Sequence, residues 1–126
     1  MKTILVFDKY PNMLEAFHRF LAQENYRVIT IDKLEEAIGI FKVVKLDLMI
    51  IDIGRYSEME VLKAIRSIKE RDSDLPIIIT ASYTNTLIEE RAKTMGAAYF
   101  LMKPFDPKDM KDIVRKLIHK EEEVER

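Results

Sequence analysis

The sequence predicts an α/β fold: a (βα)5 three-layer sandwich around a doubly wound, parallel, five-stranded sheet. Three observations carry this. Short apolar runs alternate with amphipathic helical patterns along the whole chain. The runs Ile4-Leu5-Val6-Phe7, Leu48-Met49-Ile50-Ile51 and Ile77-Ile78-Ile79 are apolar without interruption, as strands covered by helices on both faces are. The 126 residues, 48% hydrophobic and 34% charged, suit one globular domain. Such alternation implies right-handed crossovers.

The strand candidates are Thr3–Phe7, Arg27–Ile31, Asp47–Ile51, Ile77–Ala81 and Ala98–Met102. Their length and flanking turns favour strand over buried helix. Pro11 suits a first helical turn, and Leu14, Phe17 and Leu21 form a helical stripe to about Glu24. Asp32 and Glu35 have capping-box spacing ahead of Leu34, Ala37, Ile38 and Phe41, with Gly39 weakening that helix. Val61, Leu62, Ile65 and Ile68 define the third helix. Thr86 and Glu89 cap a fourth, carrying Ile88, Ala92 and Met95 and stopping at Gly96. Pro107 opens the fifth, whose apolar face is Met110, Ile113, Val114, Leu117 and Ile118. The domain is expected over residues 1–120, with 121–126 as a charged, solvated tail. The fold class carries the flavodoxin-like order 2-1-3-4-5, which the residues themselves do not fix.

Composition excludes several functions. There is no Cys, so disulfide and thiolate chemistry are out. Lys and Arg total 21 against 22 Asp and Glu, for a net charge of −1, which argues against direct nucleic-acid binding. No apolar run reaches membrane length, and Met1-Lys2-Thr3 leads into a strand without a signal-peptide pattern, so a cytoplasmic location is expected.

In open α/β sheets, sites form beyond the carboxyl ends of the strands. Asp8 and Lys9 follow the first apolar run, Asp52 follows the third, Thr80-Ala81 ends the fourth and Lys103-Pro104 follows the fifth. Two carboxylates, a hydroxyl and an ammonium from separate strands thus meet at one edge. They suit phosphoryl transfer to a carboxylate. Asp52 serves as nucleophile, Lys103 neutralises charge, Thr80 donates to a phosphoryl oxygen, and Asp8 helps hold Mg²⁺, which prefers oxygen ligands.

These residues carry a resemblance. Ile4-Leu5-Val6-Phe7-Asp8, Asp47 through Asp52, Thr80-Ala81, Gly96-Ala97 and Lys103-Pro104-Phe105 resemble the receiver domain of bacterial two-component response regulators, with a CheY-like fold, over residues 2–119. The resemblance implies a stand-alone receiver in a phosphorelay. Asp52 is then the phosphoacceptor, loaded by a histidine kinase, a phosphotransfer protein or a small phosphodonor. Thr80 and Phe100 are the switch residues, and Lys103 binds the phosphoryl group ahead of a cis Lys103–Pro104 peptide. The output face is the fourth helix, fifth strand and fifth helix, meeting a downstream protein target or a second copy in a homodimer.

Three departures qualify it. Lys9 stands where the family has a second acid, which removes a metal ligand and adds a positive charge beside the Mg²⁺ site. The loop Gly54-Arg55-Tyr56-Ser57-Glu58-Met59 lacks the family's Pro-Gly and Asp-Gly turns, although the Gly54 carbonyl still serves as a metal ligand. Phe100 has no phenolic hydroxyl. The sharper expectation is that the Lys9 ammonium lies between Asp8 and Asp52 in place of the metal, giving a phosphorylation-independent pseudo-receiver that acts as an interaction module. A small phosphohydrolase is disfavoured because Gly54 occupies the position of its second acid. His18 and His119 read as surface residues. Lys108, Lys111, Arg115, Lys116 and Lys120 give the fifth helix a basic outer face.

Overall fold

The computed structural model describes residues 1–54, 58–83 and 86–119. The strands are β1 (Thr3–Phe7), β2 (Arg27–Ile31), β3 (Leu48–Ile53), β4 (Ile77–Ala81) and β5 (Tyr99–Met102). The helices are α1 (Pro11–Ala22), α2 (Leu34–Val43), α3 (Glu58–Arg71), α4 (Thr86–Thr94) and α5 (Pro107–Ile118). All pairings are parallel and the order is β2-β1-β3-β4-β5, as the fold class requires. The expected tail at 121–126, Lys120, and loop residues Arg55, Tyr56 and Ser57 lie outside the described residues.

Alternation along the strands divides the core in two. Leu5, Phe7, Met49, Ile51, Ile53, Ile77 and Ile79 face α2, α3 and α4, where Ala37, Val61, Leu62, Ile65, Ile68, Ile88 and Ala92 complete one cluster. Ile4, Val6, Leu48, Ile50 and Ile78 face α1 and α5, packing with Phe17, Leu21, Met110 and Val114. Every residue of the three central strands is buried, which explains their unbroken apolar runs. The edge strands are partly exposed and read as more mixed sequence.

The element ends differ from the sequence reading in instructive ways. Strand β3 extends through Asp52 to Ile53, so the acid is part of the ladder rather than the loop beyond it. Asp32 does not cap α2: the N-cap is Lys33, no side chain caps it, and Asp32 lies one residue too early. Thr86 is the first residue inside α4 rather than its cap. On α2, Ile40 joins Leu34, Ala37 and Phe41 in the core, while Ile38 is in neither cluster. Helix α5 has a cap the sequence reading passed over: the Asp106 side chain accepts from the Lys108 N–H, and Pro107 follows at the first helical position. Gly96 ends the α4 region with φ of 99°, a conformation L side chains rarely adopt.

Candidate functional site

Parity along the strands builds the site. In β1, Ile4 and Val6 face α1 and α5, and the same alternation carries Asp8 to that side. In β3 it carries Asp52, after Leu48 and Ile50. In β4 it carries Thr80, after Ile78, and beyond β5 it carries Lys103, after Leu101. Asp52 and Thr80 are direct neighbours in the β3–β4 register. Four polar side chains therefore converge because each continues an inward-facing row of its own strand.

The Lys103 ammonium bridges both acids, 2.5 Å from Asp8 Oδ2 and 2.9 Å from Asp52 Oδ1. Thr80 Oγ1 donates to the same Asp52 Oδ1 at 2.9 Å. Asp8 Oδ1 accepts from the Tyr10 backbone N–H at 2.9 Å. Asp8 is fully buried, Asp52 is 6% exposed, and the Lys103 side chain is 11% exposed. The Tyr10 ring lies over the cation, 5.7 Å from Lys103 Nζ to the centroid. The Lys103–Pro104 peptide is cis.

The oxygens of Asp52 have different duties. Oδ1 takes both Thr80 and Lys103, whereas Oδ2 has no partner among the described residues. Among the described residues no buried side-chain polar atom lacks a partner, so Oδ2 is the atom through which Asp52 meets solvent.

Burial raises the Asp8 pKa above its ordinary 3.8, reinforced by the Asp52 charge and only partly opposed by Lys103 and the Tyr10 N–H. Burial alone would lower that of Lys103, but its hydrogen bonds to Asp8 and Asp52 and their charges outweigh it and hold the ammonium above 10.5. Lys103 is therefore held as a cation between the two acids.

Lys9 is not the internal cation. It is exposed and makes no ion pair with either acid. One residue beyond Asp8, it falls on the opposite parity, and Lys103 fills the space between the carboxylates. The pseudo-receiver reading, with Lys9 replacing the metal, is corrected on this point. Phe100 is half-buried against the α4-side core, opposite Ile79 in the register. Tyr10 was missed in the sequence reading; its position just after the first strand-end acid was the available signal.

For Mg²⁺, the chemistry of the donors fits. Two carboxylates from adjacent strands are what this ion takes from a protein, with water completing its shell. No group of three or more His, Cys, Asp or Glu is assembled among the described residues, so the set is minimal. A groove of about 650 Å³ opens beside Lys103, between Met13 and Phe20 of α1 and Phe105 and Pro107 at the start of α5.

Residues 4–115 match the family model of the response regulator receiver domain. The chain belongs to that family. This receiver domain is 33% identical over 108 residues to the response regulator GtcR of Aneurinibacillus migulanus, an alignment covering 84% of this chain and 43% of GtcR. It spans about half the length or less of the curated relatives it matches first. Among solved structures it resembles TrrA, a response regulator protein from Thermotoga maritima in complex with Mg(2+)-BeF, with a TM-score of 0.81, 30% identity, and coverage of 93% and 99% of the two chains. It also superposes on a CheY-like receiver domain protein from Methanospirillum hungatei with a TM-score of 0.87 and 23% identity over 98% of each chain. No helix among the described residues of the receiver domain is long and apolar enough to cross a membrane.

Proposed function

We propose that this receiver domain accepts a phosphoryl group on Asp52 and signals through the face formed by α4, β5 and α5. The observation that carries the reading is the division of labour at Asp52: Oδ1 is held by Thr80 and Lys103, while Oδ2 has no partner among the described residues and is not closed off from solvent. Oδ2 attacks the phosphorus of a phosphohistidine on a histidine kinase or phosphotransfer protein, or of a small acyl phosphate. A P–O bond forms to Asp52, the P–N or P–O bond to the donor breaks, and its electron pair leaves with the donor. Lys103 then pairs with the phosphoryl group, and the Thr80 hydroxyl turns from Oδ1 to a phosphoryl oxygen.

Asp8, Asp52 and the Gly54 carbonyl are the groups that would hold Mg²⁺, which when bound neutralises charge on the phosphoryl oxygens. Lys103 pairs with both acids and would compete with the ion for them. With Lys9 in place of a second acid, binding is expected to be weak. The domain is a signalling module rather than a turnover enzyme, its own chemistry limited to accepting and hydrolysing the acyl phosphate. It works in the cytoplasm on a downstream protein or a second copy, without nucleic acid or membrane.

Beryllofluoride mimics an aspartyl phosphate. With Mg²⁺, it is expected to shift the NMR signals of Thr80 and Phe100 in the wild type and not in Asp52→Asn. A silent wild-type spectrum at saturating reagent would overturn the reading in favour of a phosphorylation-independent module.

A further inference from the structure

Two strand-to-helix steps begin at the acid site. One leaves β3 after Asp52 and enters α3 at Glu58; the other leaves β4 after Thr80 and enters α4 at Thr86. Among the described residues, one side-chain hydrogen bond joins them: the Tyr83 hydroxyl donates to Glu58 Oε1. Tyr83 stands three positions beyond Thr80, and its ring is packed against the core under α3 and α4. Glu58 stands in the first turn of α3 and is half-buried. The bond therefore ties the segment leading from the hydroxyl to the segment leading from the nucleophile, outside the cluster of Asp8, Asp52, Thr80 and Lys103.

We propose that the Tyr83–Glu58 hydrogen bond is a latch holding Tyr83, just past the end of β4, in its unloaded arrangement, and that Tyr83 and Glu58 are positioning residues for loading of Asp52. This rests on Asp52 being the acceptor. In the unloaded site Thr80 points its hydroxyl at Asp52 Oδ1. To meet a group added at Oδ2, Thr80 turns its hydroxyl away from Oδ1, and a shift of the end of β4 that accompanies this turn carries Tyr83 with it. The anchored ring allows little independent movement, so the shift strains or breaks the bond to α3. A ligand moves such a two-state element only by its differential affinity for the two arrangements, and the latch sets the energy difference it must overcome.

The test removes each half of the bond while sparing the packing. Tyr83→Phe keeps the ring; Glu58→Ala removes the acceptor; Glu58→Gln keeps a carbonyl oxygen that still accepts. In the protein without added ligand, amide hydrogen exchange is read at Leu62 in α3 and Glu90 in α4. Tyr83→Phe is expected to speed exchange at both, by up to about tenfold, the scale of one net hydrogen bond. Glu58→Ala should do the same, the double variant should be no faster than either single one, and Glu58→Gln should retain protection. With Mg²⁺ and beryllofluoride, Tyr83→Phe should bind severalfold more tightly than wild type. Effects confined to the mutated element, or additive in the double variant, would overturn the latch, as would unchanged beryllofluoride affinity beside a responsive wild type. A wild type that ignores beryllofluoride defeats the acceptor reading instead, and the exchange data then judge the loop coupling alone.

Discussion

Replacing Lys103 by Met should strip two buried carboxylates of their shared cation while nearly preserving volume. The ammonium lies 2.5 Å from Asp8 and 2.9 Å from Asp52, with Asp8 wholly buried. Removing one partner of a buried ion pair typically costs about 3–5 kcal/mol, because the remaining charge is left uncompensated. That is a large part of the roughly 5–15 kcal/mol by which domains of this size are stable. The loss should depend on pH with a definite sign. Burial already holds the Asp8 carboxyl above 3.8, and Lys103 opposes that rise. Without the lysine the carboxyl moves higher. A carboxyl with a raised folded pKa contributes stability that is present below 3.8 and lost as pH rises through the folded value. The deficit of Lys103→Met is therefore greatest near neutrality and shrinks on acidification. Urea unfolding followed by circular dichroism, at about pH 7 and about pH 4.5, measures both effects. Asp8→Asn in the same background should recover much of the loss. A cost below about 1 kcal/mol, the range of surface pairs, would refute the reasoning, as would a deficit that grows on acidification.

Other positions give sharper structural tests. Gly39 lies inside α2, and a Cβ there meets nothing within 4 Å, so Gly39→Ala should raise unfolding free energy by about 0.5–1 kcal/mol. Gly96→Ala should do the opposite by about 1 kcal/mol or more, since φ is 99° and the new methyl would sit 3.2 Å from Lys69 Cε; thermal melts read both. Asp106→Ala removes the α5 cap and should cost about 1 kcal/mol in chemical denaturation. Phe17→Ala empties the point where Phe20 and Phe105 meet, at ring centroids 5.3 and 5.6 Å away, and should cost about 3–5 kcal/mol by the same assay.

Much of the fold was legible because burial leaves a mark on composition. Strands β1, β3 and β4 are closed in on both faces, and their apolar runs say so. The site was legible by position: Asp8, Asp52, Thr80 and Lys103 all lie at or just past the carboxyl ends of strands. What failed was the choice of cation. Lys9 is next to Asp8 in the chain, but adjacent residues of an extended segment point to opposite faces, and the lysine between the acids comes from the far end of the sequence. Parity alone separates them once the strand is taken as extended. The capping error at Asp32 is of another kind: the box spacing was present, but the helix began one residue later. At Asp106 the signal was an Asp directly before a first-turn proline. The Tyr83–Glu58 bond had no sequence signal, since it joins residues 25 positions apart on two different strand-to-helix steps. The basic face of α5 is more committed than its composition suggests. Arg115 pairs with Asp112 on its own helix and with Glu24, and Lys111 reaches Gln23, so the residues just past the end of α1 take up part of its charge.

The bridge from Lys103 to Asp8 joins residues 95 positions apart. On a growing chain, both acids therefore emerge long before the group that reconciles them. Any fragment that stops short of β5, whether a nascent chain, a truncation or half of a split protein, places two carboxylates side by side with no counter-ion. Such fragments should be poorly ordered at neutral pH and gain structure on acidification or when the missing β5–α5 segment is supplied. The charge cluster thus makes completion of the sheet self-reporting: the acids sit comfortably only in a chain whose last strand has docked.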